Sequence, residues 1–142
     1  MKRFMAVIIM AASAFPAFAD GDIEAGEKQF GKCKTCHSIV DDAGEAIQKG
    51  GMVGPNLYGV IGRQAGAYED FRYGDDLVKA GEEGLVWDEA LIAEYIADPK
   101  AFLVKTLDDK KARSKMAFKL PKGGEDVAAY LASVSPEADG GS

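Results

Sequence analysis

The sequence predicts an all-α domain in which short helices are joined by unusually long ordered loops. Two observations predict it. Apolar residues recur at helical spacing in three segments, beginning after Asp22, Asp88 and Gly123-Gly124. Residues 38 to 67, by contrast, are glycine-rich and keep neither the 3.6-residue period of a helix nor the two-residue period of a strand.

Taken in order, the chain opens with Lys2 and Arg3, continues in an apolar run from Phe4 to Phe18, and reaches Ala17-Phe18-Ala19, the small-x-small pattern of a signal peptidase site. Ser13 and Pro16 interrupt that run, which falls short of the roughly 20 residues of a membrane-spanning helix. Residues 1–19 therefore read as an export signal that is removed, with no stable membrane insertion afterwards. The remaining length suits one domain over 20–135 and a disordered tail over 136–142.

Asp22 is placed to cap a first helix carrying Ile23, Gly26 and Phe30, which runs straight into residues 33–37. From Ser38 to Ala67, Gly50-Gly51, Gly54-Pro55, Gly59, Gly62 and Gly66 punctuate an ordered loop with at most short turns. Asp88 caps a second helix, where Trp87 is placed to staple onto Ile92. Its stripe of Leu91, Ile92, Tyr95 and Ile96 stops at Asp98 because Pro99 comes next. A third helix places Val127, Tyr130, Leu131 and Val134 on one face and ends at Ser135-Pro136. Loops as long as those between these helices need something to order them, and a large, rigid, apolar bound group would do so.

The whole chain has a net charge of −6, which becomes −8 once Lys2 and Arg3 leave with the signal; so acidic a total excludes nucleic acid as a partner. Residues 99–123 run against that total. They hold Lys100, Lys105, Lys110, Lys111, Arg113, Lys115, Lys119 and Lys122 against Asp108 and Asp109 alone, which gives the molecule a strong dipole.

The two cysteines and the one histidine of the chain fall together in Cys33-Lys34-Thr35-Cys36-His37. Cys-x-x-Cys-His is the attachment signature of c-type haem. On a helical turn both thiols point the same way and can add to the two vinyl groups of one porphyrin. His37 then shares their face and can bind the iron.

Three other readings are weaker. A disulfide here would close a tiny loop and stabilise little. A thioredoxin-like pair wants a preceding strand in a βαβ unit. A zinc site would lack ligands. With haem bound, no second histidine is available for the sixth iron position, and methionine is the usual alternative. After the signal the chain has two, Met52 and Met116. A distal ligand must approach from the face opposite His37, which favours Met116, since an independent helix separates it from the motif.

These residues resemble the class I cytochromes c, in particular the longer bacterial cytochrome c2 and c550 type, over the whole of residues 20–135. Gly26 and Phe30 with Val127 and Tyr130 are similar to that family's crossing of first and last helices, Gly54-Pro55-Asn56-Leu57 to its proximal loop, and Met116 to its distal ligand. The resemblance implies one covalent haem c per chain, with axial ligands His37 and Met116. It also implies that the Pro55 carbonyl accepts the hydrogen bond of the other His37 ring nitrogen. Arg63 would lie near a haem propionate, Tyr73 and Trp87 would donate to propionates, and Tyr95 would lie beside the methionine sulfur. Asp41 to Met52 and Leu107 to Ser114 resemble insertions relative to the shortest members.

An iron closed on both sides has no vacant site for substrate, so the expected function is one-electron transfer rather than catalysis. The expected partners, implied by the resemblance, are a quinol-cytochrome c oxidoreductase as donor and a photosynthetic reaction centre or terminal oxidase as acceptor. They would be met by a monomer through a basic face of Lys32, Lys34, Lys105, Lys115 and Lys119. The signal and the bacterial family together imply the periplasm. The rival is a haem enzyme or gas sensor with an open sixth position. Its peroxidase version lacks a separate distal histidine for acid-base work.

Overall fold

The computed structural model describes residues 21–136, so the export signal expected at 1–19 and the expected tail beyond Pro136 lie outside the described residues. Helix α1 (Ile23–Phe30) starts where the spacing predicts. The Asp22 carboxylate accepts the Ala25 N–H at 3.0 Å, meeting one of the donors a helix start leaves unpaired. Its buried face, Gly26 and Phe30, lies against α5 (Gly124–Val134). A Cβ at Gly26 would stand 1.9 Å from the Asp126 carbonyl oxygen, so main chain meets main chain and only glycine fits. Phe30 and Tyr130 pack beside this contact with ring centroids 5.8 Å apart. The Asp22 N–H donates to the Asp126 carboxylate at 2.8 Å, tying the start of one helix to the other.

The stretch expected to hold short turns alone contains a small antiparallel hairpin, β1 (Ile39–Val40) and β2 (Ala46–Gln48), with Ile39 opposite Gln48 and Val40 opposite Ala46. Strands of two and three residues are too short to show alternation, so no sequence period betrays them. What makes the turn is local chemistry. The Asp41 carboxylate accepts the N–H groups of Ala43 and Glu45, both at 2.9 Å, and Gly44 takes φ 83°, where a side chain would be strained. Asn56 then pairs with both main-chain groups of Val40, standing in for a third strand.

Among the described residues, five helices replace the three expected. The first addition, α2 (Asp75–Glu82), opens with Asp75 and Asp76 and packs Leu77 against the core, but its buried residues Ala80 and Gly81 are small and its cap residue Gly74 makes no side-chain bond, so its signal in the sequence is weak. It also packs through its backbone: a Cβ at Gly81 would lie 1.8 Å from the Ala65 carbonyl oxygen. The second addition arises at Pro99. Helix α3 (Glu89–Ala97) is capped by Asp88, whose carboxylate accepts the Leu91 N–H at 2.7 Å, and ends at Asp98 as expected. Pro99 does not end helical structure there, however, but supplies the first residue of α4 (Pro99–Leu107). Asp98 is extended and caps it by accepting the Ala101 N–H at 3.0 Å. Proline has no N–H to leave unpaired at a helix start, which suits it to open a helix as well as to stop one.

Among the described residues the architecture is thus all-α apart from the hairpin and an isolated antiparallel bridge between Gln64 and Val86, with α3 and α5 packed together and α4 against α2 and α3. Trp87, Tyr95 and Phe102 form a buried aromatic trio with centroids 5.1 to 5.8 Å apart. Among the described residues no helix is long and apolar enough to cross a membrane.

The α1–α5 contact generates a test. Gly26→Ala gains up to about 1 kcal/mol of helix propensity, but the added methyl group meets backbone that cannot rotate away. The variant is expected to be less stable by about 1–3 kcal/mol in guanidinium unfolding of the cofactor-loaded protein. Unchanged or raised stability would show that the two helices can part at no cost.

Candidate functional site

Helix α1 leads into the Cys33–His37 segment without a break. The Cys33 N–H donates to the Phe30 carbonyl at 2.8 Å, and the Cys36 and His37 N–H groups donate to the Cys33 carbonyl at 3.1 and 2.9 Å. That turn brings Cys33, Cys36 and His37 to the wall of one open, mainly apolar cavity of about 610 Å³, within the size range of cofactor sites. Met116, from the segment between α4 and α5, lines the same cavity. Met52 does not: it is 90% exposed.

Neither cysteine is in a disulfide. Burial first, and Cys36 beside it second, push the free Cys33 thiol up to about 11 against the weaker pull of Lys32. At neutral pH the free Cys33 thiol is therefore protonated. No group of three or more His, Cys, Asp or Glu among the described residues converges as a metal site.

His37 Nδ1 lies 2.8 Å from the Pro55 carbonyl oxygen. A carbonyl only accepts, so the proton sits on Nδ1 and Nε2 keeps its lone pair free. Burial lowers the imidazole pKa, with the Pro55 bond opposing in part, which favours the neutral form a metal needs.

The glycine-rich stretch supports this geometry at close range. The Gly51 N–H donates to the Lys34 carbonyl at 2.8 Å and the Gly54 N–H to the Cys36 carbonyl at 2.7 Å. A Cβ at Gly54 would stand 2.4 Å from His37 Cε1, so the ring rests against bare main chain. Gly54, expected only as part of the proximal loop Gly54-Pro55-Asn56-Leu57, thus has a steric role that its place in the sequence did not show.

Arg63, Tyr73, Trp87 and Tyr95 also line the cavity. The Arg63 guanidinium donates to the carbonyls of Asn56 at 3.0 Å and Tyr58 at 2.5 Å, lies over the Tyr68 ring at 4.7 Å, and meets Tyr73. Burial raises the Tyr73 pKa, opposed by the Arg63 charge. Burial raises the Tyr95 pKa as well, opposed by the neighbouring Ser114, two residues before Met116.

The five lysines expected on one docking face divide. Lys32 and Lys115 border the cavity, and Lys34 is exposed. Lys115 donates to the Arg72 carbonyl at 2.6 Å and lies over Phe71, Lys105 pairs with Glu94 at 2.5 Å, and Lys119 pairs with Asp98 at 2.9 Å. Spacing along the chain carries no sign of such pairings, because each partner belongs to a different segment.

Two thiols and a neutral imidazole around a mainly apolar space fit a flat metallated macrocycle joined through thioethers, and a small helical chain wrapped around one is a c-type haem protein. No protein-family model matches the chain. It is, however, 68% identical over 136 residues to cytochrome c-551 of Roseobacter denitrificans, a match covering 95% of this chain and 97% of that one. It is 59% identical over 130 residues to cytochrome c2 of Rhodobacter capsulatus, covering 92% of each. Its fold matches the X-ray structure of cytochrome c2 isolated from Paracoccus denitrificans with a TM-score of 0.81 at 50% identity, covering 84% of this chain and 100% of that one. The chain belongs to the bacterial class I c-type cytochromes of the c2 and c-550 group, electron-transfer proteins with one covalently attached haem c and not enzymes. That membership sets the open-site enzyme reading aside.

Asp98 joins this site to the helix frame, and its titration is testable. The Ala101 N–H first, and Lys119 second, hold its carboxyl below the ordinary value of 3.8. A carboxylate whose pKa is depressed on folding adds stability above its unfolded pKa and loses it as pH falls through the folded value, so the affected window lies below about pH 4. Asp98→Asn keeps a capping oxygen and removes the charge. Unfolding midpoints measured between about pH 2 and 6 should fall less steeply toward acid in the variant than in the wild type. Parallel curves would assign no folded-state role to the charge.

Proposed function

We propose that this protein is a periplasmic one-electron carrier whose haem iron is ligated by His37 and Met116. The observation that carries this reading is the division of the methionines: Met116 lines the cavity that His37 lines, whereas Met52 stands in solvent. Bound haem supplies a single iron that gains and loses one electron. The chain's own residues prepare it for that task. Pro55 keeps the proton on Nδ1, which presents Nε2 in a fixed orientation and makes it a better donor. A thioether from Met116 favours the reduced state. Cys33 and Cys36 tether the group so that it survives export. Phe30, Trp87, Tyr95 and Leu103 exclude water from its surroundings.

Arg63 commits two of its five N–H donors to the Asn56 and Tyr58 carbonyls, which pins its charge in place and leaves the others for an acidic edge of the cofactor. Tyr73 and Trp87 would donate to the same edge. Residues 1–19, read as an export signal, support the periplasm. Lys32, Lys34 and Lys115 form the nearest part of a basic docking rim. Lys105 and Lys119 widen it with charge that Glu94 and Asp98 partly offset. The partners are a quinol-cytochrome c oxidoreductase as donor and a reaction centre or terminal oxidase as acceptor, each met briefly by a monomer through a small polar contact.

Two experiments test this. Sulfur on ferric iron gives a weak far-red absorption band. Met116→Ala should abolish the band and lower the reduction potential, while Met52→Ala should alter neither. Survival of the band in Met116→Ala but not in Met52→Ala would transfer the ligand role. For the docking rim, Lys32→Glu should slow electron transfer to the partner complex about tenfold at low ionic strength. The difference should vanish as salt approaches about 1 M, where the screening length is roughly 3 Å. Slowing independent of salt would remove steering from the account.

A further inference from the structure

Met116 sits in a segment that no backbone ladder holds. The Ala112 N–H donates to the Asp109 carbonyl at 3.0 Å and the Leu120 N–H to the Ile96 carbonyl at 2.7 Å. Between those two points, among the described residues, no main-chain group pairs with another main-chain group. Side chains carry the segment instead. Ser114 Oγ donates to the Met116 carbonyl at 2.9 Å, but both lie inside the segment. Lys115 reaches the Arg72 carbonyl and Lys119 reaches Asp98, each at the end of a long stem that loses much rotamer freedom to hold its place.

One link differs in kind. Asp76 Oδ2 accepts the Arg113 N–H at 2.6 Å, gripping the main chain of the segment from the first turn of α2, 37 residues away. The acceptor is charged, which makes such a bond about twice as strong as a neutral one. Its stem is short and rooted on a helix, so little freedom is lost in making it. Beside it Tyr73, Gly74 and Leu77, from α2 and the residues leading into it, line the cavity together with Ser114, Lys115 and Met116.

We infer that Asp76 is a positioning residue: its carboxylate latches the start of the methionine segment to α2 and sets how often Met116 swings away from the cavity. The consequence for electron transfer is that a firmly latched sulfur stays in one arrangement in both redox states. This rests on the reading of Met116 as iron ligand, but the latch itself can be measured without it. The competing account is that Asp76 merely complements the positive end of α2, a task that Asp75 in the same turn would share.

The experiment uses the haem-loaded full chain and the variants Asp76→Ala, Asp76→Asn and Asp75→Ala. Amide hydrogen exchange is read at Arg113 and Leu120, whose N–H groups are bonded at the two ends of the segment, with amides of α5 as an internal reference for global unfolding. Imidazole is added to the ferric protein as an exogenous iron ligand. Asp76→Ala should speed exchange at the two loop amides and tighten apparent imidazole binding, each by about tenfold, while α5 amides stay put. Asp76→Asn, which keeps an acceptor oxygen, should fall between it and the wild type, and Asp75→Ala should match the wild type.

Equal effects from Asp75→Ala, unchanged loop exchange in Asp76→Ala, or acceleration shared by α5 would each overturn the latch. Failure of the ligation reading has a separate signature: Met116→Ala would bind imidazole as the wild type does, with the far-red band either missing from the wild type or surviving in Met116→Ala, whatever the loop amides report.

Discussion

A space of about 610 Å³ walled mainly by apolar side chains has to be filled by something apolar. The chain is therefore shaped around a group that is not polypeptide. Short helices pack in pairs, α1 and α3 on α5 and α2 and α3 on α4, the aromatic trio of Trp87, Tyr95 and Phe102 backs one wall, and Phe30 and Leu103 close the interior. Long loops are tolerated here because they pack on the filler as other segments pack on one another.

Such a wall also has to come close at particular points, and glycine marks them. Gly26 lets α1 touch α5, while Gly50, Gly51 and Gly54 let the loop lie directly on the backbone and ring of the Cys33–His37 turn. The last contact links packing to chemistry. Because Gly54 removes the side chain that would push His37 aside, the Pro55 carbonyl reaches Nδ1 at 2.8 Å, and the resulting tautomer leaves Nε2 for metal.

Charge is organised less simply than the run of lysines after Pro99 suggests. Glu94 and Asp98, both from the α3 region, each take one of those lysines, and the Arg72 carbonyl takes another. The bonds of Lys115 and Lys119 hold the approaches to Met116 as much as they shape a docking surface, whereas the Lys105–Glu94 pair ties α4 to α3. Exposed pairs of this kind add little stability individually. The use of the first two lies in fixing a segment that has no ladder of its own, alongside Asp76.

The Cys33–His37 site was legible in residue order because its geometry is local: positions i, i+3 and i+4 of a helical turn share a face in any context. The same holds for α1, α3 and α5, each with its own stripe and, in the first two, its own aspartate cap. What residue order could not disclose depends on partners far along the chain. Helix α2 is held by a bare glycine contact with Ala65 and by a short apolar face of Leu77 and Ala80. Pro99 could either stop a helix or open one until Asp98 was seen capping the next. The hairpin is too short to have a period, and the lysines could not be sorted into free and paired before Glu94 and Asp98 were brought beside them. Spacing reports contacts within a turn or two, whereas the wall of the cavity and the hold on Met116 arise from groups that meet only after the chain has folded around its cofactor.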